Sequence, residues 1–414
     1  MFRLSGKAIR SGLLALCLAS AAAIPVSAQP ASAVPLDLAR VASELALATA
    51  AADPLEEPKQ EAVEEAQEEE AGGGGMLEDV NISGELSLAY LASVDTDSRT
   101  LFGRVFDNQA DQFTLHQAEL WFERVSSTES PFGFNIDVVA GDDAEKIHSA
   151  GLGDSSDAFD LTQAYISYQV PGVDRLLLKA GKFVTLHGSE VIRRSGNFHY
   201  SRSLLFGYAI PFTHTGFMAT YQASDVVTLT GGIVNGWDNV DDNNDDKSVH
   251  AMAGFAPSDK VSLSIGGTYG AEQADSSAKR SLIDAIVTFK PVDGLTLMLN
   301  YDWGEEEEIV VDPVTGALTD ASWDGLAGYI SYDVNDVVSL GGRAEYFNDD
   351  EGYRLGAGAL ELWEATFTAR FKLRDGLVAS LELRHDEASD GELVFDDGTD
   401  DSQDTLALEL VGSF

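Results

Sequence analysis

The sequence predicts an all-β fold: a transmembrane antiparallel β-barrel of about 16 strands with an in-folded third loop. Three observations lead there. Apolar and polar residues alternate with period two in runs of roughly ten residues. The connections between runs alternate long and short. No stretch approaches the 18 or so consecutive apolar residues that a membrane-spanning helix needs.

Residues 1–28 read as a secretory signal peptide. Arg3, Lys7 and Arg10 form a basic start, Leu13 to Ala23 a short apolar centre, and Val26-Ser27-Ala28 the small residues for cleavage before Gln29. The only cysteine, Cys17, lies here and follows Leu16, not the small residue of a lipoprotein signal, so the mature chain has no disulfide or cysteine-based metal cluster. The whole chain carries 69 Asp+Glu against 26 Lys+Arg, a formal net charge of -43. Removing three bases and no acid takes that from -43 to -46. Such acidity argues against nucleic acid as a partner, because phosphates are neutralised by Lys and Arg.

Residues 29–80 read as an acidic, partly helical periplasmic extension. Leu36 to Ala52 is rich in Ala and Leu, Asp53 to Glu70 holds many acids and the single base Lys59, and Gly72 to Gly75 form a hinge. A solvated linker and a trimerising coiled coil are the two readings of this segment. Sustained heptads are lacking.

Residues 81–414 carry the barrel pattern. Strand segments begin near Ile82, Phe113, Phe132, Leu161, Leu176, Gly216, Val226, Val249, Val261, Leu282, Leu295, Trp323, Val337, Leu360, Leu377 and Thr405. The run Val261-Leu263-Ile265-Gly267-Tyr269 alternates with Ser262-Ser264-Gly266-Thr268, and Leu377-Ala379-Leu381-Leu383 with Val378-Ser380-Glu382-Arg384. Pro, Asn, Asp and Gly mark short turns such as 171–174, 257–259, 291–294 and 374–376. Long connections cover 94–111, 141–158, 185–213, 236–247, 271–280, 304–322, 348–359 and 387–403. This spacing places both ends of the barrel on the short-turn side. Closure follows from physics, since an open edge in lipid leaves backbone groups unpaired at several kcal/mol each. Tyr90, Tyr168, Tyr221, Phe255, Tyr269, Phe289, Tyr301, Trp303 and Tyr332 lie near strand ends, as interfacial girdles require.

The chain ends in an alternating strand closed by Phe414, which resembles the assembly signal read by the barrel assembly machinery. Gly181-Lys182-Phe183, then Asn197-Phe198-His199-Tyr200-Ser201-Arg202-Ser203-Leu204-Leu205-Phe206 and Ile210-Pro211-Phe212-Thr213-His214-Thr215-Gly216, resemble the putative β-barrel porin-2 (OmpL-like) family of Gram-negative outer-membrane porins. The motif covers about 180–220, and strand periodicity carries the likeness elsewhere. The resemblance implies a diffusion channel in the cell outer membrane, surrounded by lipid and lipopolysaccharide, and a homotrimer. It implies no defined substrate, no cofactor and no catalysis.

The third long loop is the candidate site. Lys179, Arg193, Arg194 and Arg202 cluster around a single acid, Glu190. General porins narrow the pore with this loop, so these residues are the candidate pore constriction. A row of Arg in a narrow channel attracts anions. The other reading is that these arginines pair with acids and set the loop's shape. On the barrel wall, alternation places Arg343, Glu345, Arg370, Lys372, Glu382 and Arg384 inward as lumen lining, along with Glu85, Asp137, Asp284, Asp302 and Glu409. The remaining loops are acidic. Trp237 to Lys247, Glu305 to Glu308 and 387–403 could bind divalent cations weakly, but none has EF-hand spacing and no metal site is expected.

The sequence thus supports passive diffusion of small hydrophilic solutes or ions past loop 185–213. The alternative is a substrate-preferring anion channel for phosphate or carboxylates. Weaker readings are a barrel hydrolase using His199, Ser201, Ser203 and His214, and an envelope tether working through 29–75.

Overall fold

The computed structural model describes residues 79–414, apart from 95, 97, 174, 312 and 314. The signal-peptide reading of 1–28 and the extension and hinge read at 29–78 lie outside these residues.

Sixteen antiparallel strands close into one barrel, with every strand bonded to its sequence neighbours and the first to the last. They are β1 (Asn81–Ser93), β2 (Gln112–Arg124), β3 (Phe132–Ala140), β4 (Phe159–Gln169), β5 (Leu176–Val184), β6 (Thr213–Gln222), β7 (Val227–Val234) and β8 (Ser248–Ser258). Then follow β9 (Val261–Ala271), β10 (Lys279–Phe289), β11 (Leu295–Val311), β12 (Leu318–Asp333), β13 (Val338–Asp349), β14 (Leu360–Arg374), β15 (Leu377–Ala388) and β16 (Ser402–Ser413). A short helix, α1 (Asp142–Lys146), follows β3. Closure joins Glu85 opposite Ser413 through Ser93 opposite Thr405. Phe414 extends the seam: its N–H donates to the Gly84 carbonyl at 3.0 Å and its own carbonyl accepts from Gly84 at 3.1 Å.

Alternation sorts the side chains as lipid requires. Leu86, Ile136, Ile166, Leu229, Ile233, Ile265, Leu299, Ile330, Phe367 and Leu408 stand exposed on the outer face. Exposed Tyr168, Tyr221, Phe255, Phe289 and Tyr332 ring the short-turn end, while Phe113, Tyr269 and Trp363 sit near the loop end. Inward residues are buried: Glu85, Asp137, Asp284, Asp302, Arg343, Glu345, Glu382, Arg384 and Glu409 are each at most 4% exposed.

Two sequence expectations need correction. The acidic run Glu305 to Glu308, expected in a loop, belongs to β11, which pairs with β12 as far as Val311 opposite Leu318. This hairpin continues past the apolar band, and there outward residues no longer need to be apolar, so the alternation signal fades. The second correction concerns the wall. Toward the loop end its inward face is apolar, with Leu282, Trp323, Phe347, Leu360 and Leu362 packing with Phe106, Ile192, Leu204, Leu205 and Phe206 in one buried cluster. Period-two reading assigned the inner face to polar residues. It cannot foresee that long loops return to cover apolar ones.

Candidate functional site

The segment 185–212 between β5 and β6 makes its contacts with inward-facing side chains. Three wall glutamates each accept two successive backbone N–H groups. Glu85 takes Arg194 at 2.7 Å and Ser195 at 3.1 Å. Glu382 takes Tyr200 at 2.7 Å and Ser201 at 2.9 Å. Glu345 takes Leu204 and Leu205, both at 2.6 Å. Gly188 and Ser189 donate in the same way to Asp284 (3.2 Å) and Asn300 (2.9 Å). A carboxylate accepting paired N–H groups satisfies a loop that has no ladder of its own. These contacts span β1, β10, β11, β13 and β15, and the segment crosses the interior between them. Gly341 allows one close approach: a Cβ there would lie 2.2 Å from the Phe198 ring.

The structure separates the predicted constriction residues. Arg194 is fully enclosed and grips Asp143 of α1 through two bonds, Nε to Oδ2 at 2.8 Å and Nη2 to Oδ1 at 2.7 Å. Burial works against its charge, but the Asp143 carboxylate more than offsets this and pushes the guanidinium pKa further up. Arg202 is buried against Phe106 and Phe206 and donates to the Ile192 carbonyl at 2.9 Å. Glu190 accepts from the Ser203 N–H at 2.8 Å and from Arg343 Nη1 at 2.8 Å. All three are engaged by the protein, Arg194 by an acid, Arg202 by backbone carbonyls and aromatic rings, and Glu190 by a backbone N–H and Arg343. Arg193 differs. Its side chain is 40% exposed, donates to Asp137 at 2.8 Å and lies 4.0 Å above the Trp121 ring. Lys179 sits half-buried on the same arc, 4.1 Å from the Tyr165 ring centre.

The predicted lumen residues divide similarly. Arg343 pairs with Glu364 at 2.7 Å and donates to the Ser201 carbonyl at 2.9 Å. Arg384 holds Asp386 at 2.7 Å and the Arg202 carbonyl at 2.6 Å. Glu345 and Glu382 are occupied by backbone. Arg370 donates to the Asn197 carbonyl at 2.9 Å beneath Phe198. Lys372 alone stands open, 2.8 Å from Asp375. Arg370 and Lys372 line a cavity of about 740 Å³ at the short-turn mouth, together with Ser195 and Phe198 of the segment.

Sequence reasoning missed Arg104, which reaches inward from the first long loop to bind Asp386 at 2.9 Å. It also missed Asp107, partner of Arg104, and His116, which bridges Asp143 (3.0 Å) and Tyr200 (2.9 Å). Arg104 and Asp107 lie three residues apart, but no local signal marks their reach to Asp386 or that of His116 to Tyr200, since those contacts join elements far apart in the chain. The hydrolase residues are engaged separately: Ser201 Oγ accepts from Arg343 at 3.0 Å, while His199 bonds Thr368 at 2.7 Å. Burial, and then Arg343, Arg370 and Arg384, hold the His199 pKa well below its usual value. His116, Asp142 and Asp143 bring ligand atoms within 4.8 Å of one another, but the Arg194 guanidinium already binds Asp143 and sits 2.8 Å from His116 Nδ1.

A family model described as putative beta-barrel porin-2, OmpL-like, matches residues 79–414. No curated protein matches the chain. Among solved structures, an anion-selective porin from Comamonas acidovorans aligns with a TM-score of 0.57 at 10% identity, covering 81% of this chain and 99% of its own. A trimer form of OmpT, an outer membrane protein of Vibrio cholerae, gives 0.55 at 11%, covering 81% and 99%. The outer membrane channel DcaP of Acinetobacter baumannii gives 0.51 at 14%, covering 81% and 97%. At these identities the likeness is one of fold.

Proposed function

Since the chain belongs to the putative beta-barrel porin-2, OmpL-like family, we infer that it is a passive diffusion channel for small hydrophilic solutes or ions in the cell outer membrane. No reaction is catalysed. The segment 185–212 narrows the lumen, and the residues facing solute there are Arg193 and Lys179. Arg194, Arg202 and Glu190 hold the segment in place. The observation that carries this reading is the set of backbone bonds to Glu85, Glu345 and Glu382, which pin the segment across the interior while leaving Arg193 open. Half-buried inward residues Thr220, Thr228 and Thr230 on β6 and β7 give the adjoining arc a small, hydroxyl-lined surface suited to water. The short-turn end faces the periplasm and the long loops face outward. Like the trimeric relative, the barrel assembles as a homotrimer within lipid and lipopolysaccharide. Phe414 at the seam serves recognition by the barrel assembly machinery. In this reading residues 1–28 serve as a leader and 29–80 as an acidic periplasmic extension.

Reversal potentials across planar bilayers under a salt gradient test the lining. The wild type favours anions, and Arg193→Glu with Lys179→Glu shifts the preference toward cations. Unchanged selectivity in the double variant contradicts the assignment of Arg193 and Lys179. The alternative of a phosphate- or carboxylate-preferring channel predicts conductance that saturates with those anions.

A further inference from the structure

Three histidines meet inside the barrel, and the proposed channel function uses none of them. His187 comes from the 185–212 segment, His214 from β6 and His250 from β8. The His250 ring lies between the other two, 4.7 Å from His187 and 4.4 Å from His214 between centroids. All three are at most 2% exposed. Neither ring nitrogen of His187 or His250 has a hydrogen-bond partner in the protein. The Asp284 carboxylate lies beside them, its Oδ1 3.8 Å from His187 Nδ1 and also without a hydrogen bond. A buried polar atom without a partner is destabilising, and here five gather at one place.

His214 supplies the clue to what would satisfy them. Its Nδ1 lies 2.9 Å from the Gly236 carbonyl, which can only accept, so Nδ1 carries the proton. Its Nε2 is therefore the lone-pair nitrogen, held loosely by the Thr185 hydroxyl at 3.3 Å. A ring that donates one N–H to a backbone carbonyl and offers the other nitrogen is the arrangement that orients metal-binding histidines. The backbone also makes room: a Cβ on Gly266 would come within 3.1 Å of His187 Cε1. The ligand atoms do not yet converge as those of His116, Asp142 and Asp143 do. Bringing them together requires a tilt or half-turn of the His187 and His250 rings about their terminal torsion, which is broad for imidazole.

We propose that His187, His214 and His250, with Asp284, form a buried site for a divalent transition metal ion of the kind that prefers imidazole, such as Zn²⁺, Cu²⁺ or Ni²⁺. The site joins the 185–212 segment to the wall strands β6, β8 and β10, so the bound ion clamps the segment. It goes beyond the channel reading and does not depend on it.

The test uses full-length protein in detergent with Co²⁺ as probe, in excess Mg²⁺ to occupy the acidic loops. One Co²⁺ per chain is expected, with the visible absorption of nitrogen-ligated cobalt. His187→Gln and His250→Gln each weaken binding by more than about tenfold. His385→Gln, a loop-end histidine outside the cluster, leaves it unchanged. Zn²⁺ raises the thermal unfolding temperature of the unmodified protein in a concentration-dependent way that EDTA reverses. This second measurement stands even where a variant fails to fold. Co²⁺ binding that survives both substitutions, or no Zn²⁺ effect on unfolding beyond that of Mg²⁺, overturns the proposal.

Discussion

At the scale of single residues, location separates charges that look alike in sequence. Arg193 and Arg194 are neighbours, yet one is open and the other fully enclosed against Asp143. Arg343 and Lys372 read alike in the sequence, both at inward positions of the alternation. Their roles were not legible, because a base buried between two carboxylates and one standing at the open mouth occupy the same place in the alternation. The distinction is energetic. Removing one partner of a buried pair strands the other charge at roughly 3–5 kcal/mol. Arg343→Met therefore lowers stability by roughly that amount, read from urea unfolding in detergent, because Glu190 and Glu364 lose their partner. Lys372→Met, at the exposed mouth, leaves the midpoint where it was. Equal effects of the two contradict the division between structural and open charges.

At the scale of elements, strand number and order were legible because lipid imposes a strict period on each outer face and turn residues punctuate it. Strand extent was less so. β11 and β12 outrun the apolar band, and Glu305 to Glu308 read as loop for that reason. The loops hide more, since their anchors are remote. The connection 235–247 is knit by two acids: Asp238 accepts from Phe212 (3.0 Å) and Thr213 (2.8 Å), and Glu272 from the Trp237 N–H at 2.7 Å. Burial pushes both carboxyl groups up to about 6, against the opposing pull of those same hydrogen bonds. Each therefore holds a proton in the folded chain over a range where the unfolded carboxyl, near about 4, is ionised. Their contribution to stability is full below that unfolded value and lost as pH rises through about 6. Hydrogen exchange within 235–247, corrected for its intrinsic pH dependence, is then slower at about pH 5 than at about pH 8. Asp238→Asn reduces that difference. Greater protection at the higher pH contradicts it.

At the scale of the molecule, a formal charge of -43 coexists with an interior whose charges are mostly paired. The acids near Glu190, Glu345 and Glu382 are matched by Arg343, Arg384 and backbone N–H groups, and acidic loops such as Trp237 to Lys247 and 387–403 lie at the long-loop end. On the proposed reading the few open bases inside, and not the net charge, decide what passes. The closed sheet was foreseeable from the need to pair every edge in lipid. The apolar filling beneath the loops was not, because it depends on Phe106, Leu204 and Phe206 arriving from two different connections. The central claim is that solute passes Arg193 while Arg194 stays enclosed, and it is directly measurable because, with the single Cys17 replaced by Ser, no other thiol competes. Single-channel current through Arg193→Cys is recorded before and after a bulky water-soluble thiol reagent. The account predicts a stepwise fall in current that a reducing agent reverses. Current that stays constant while mass spectrometry shows the thiol fully modified would contradict it.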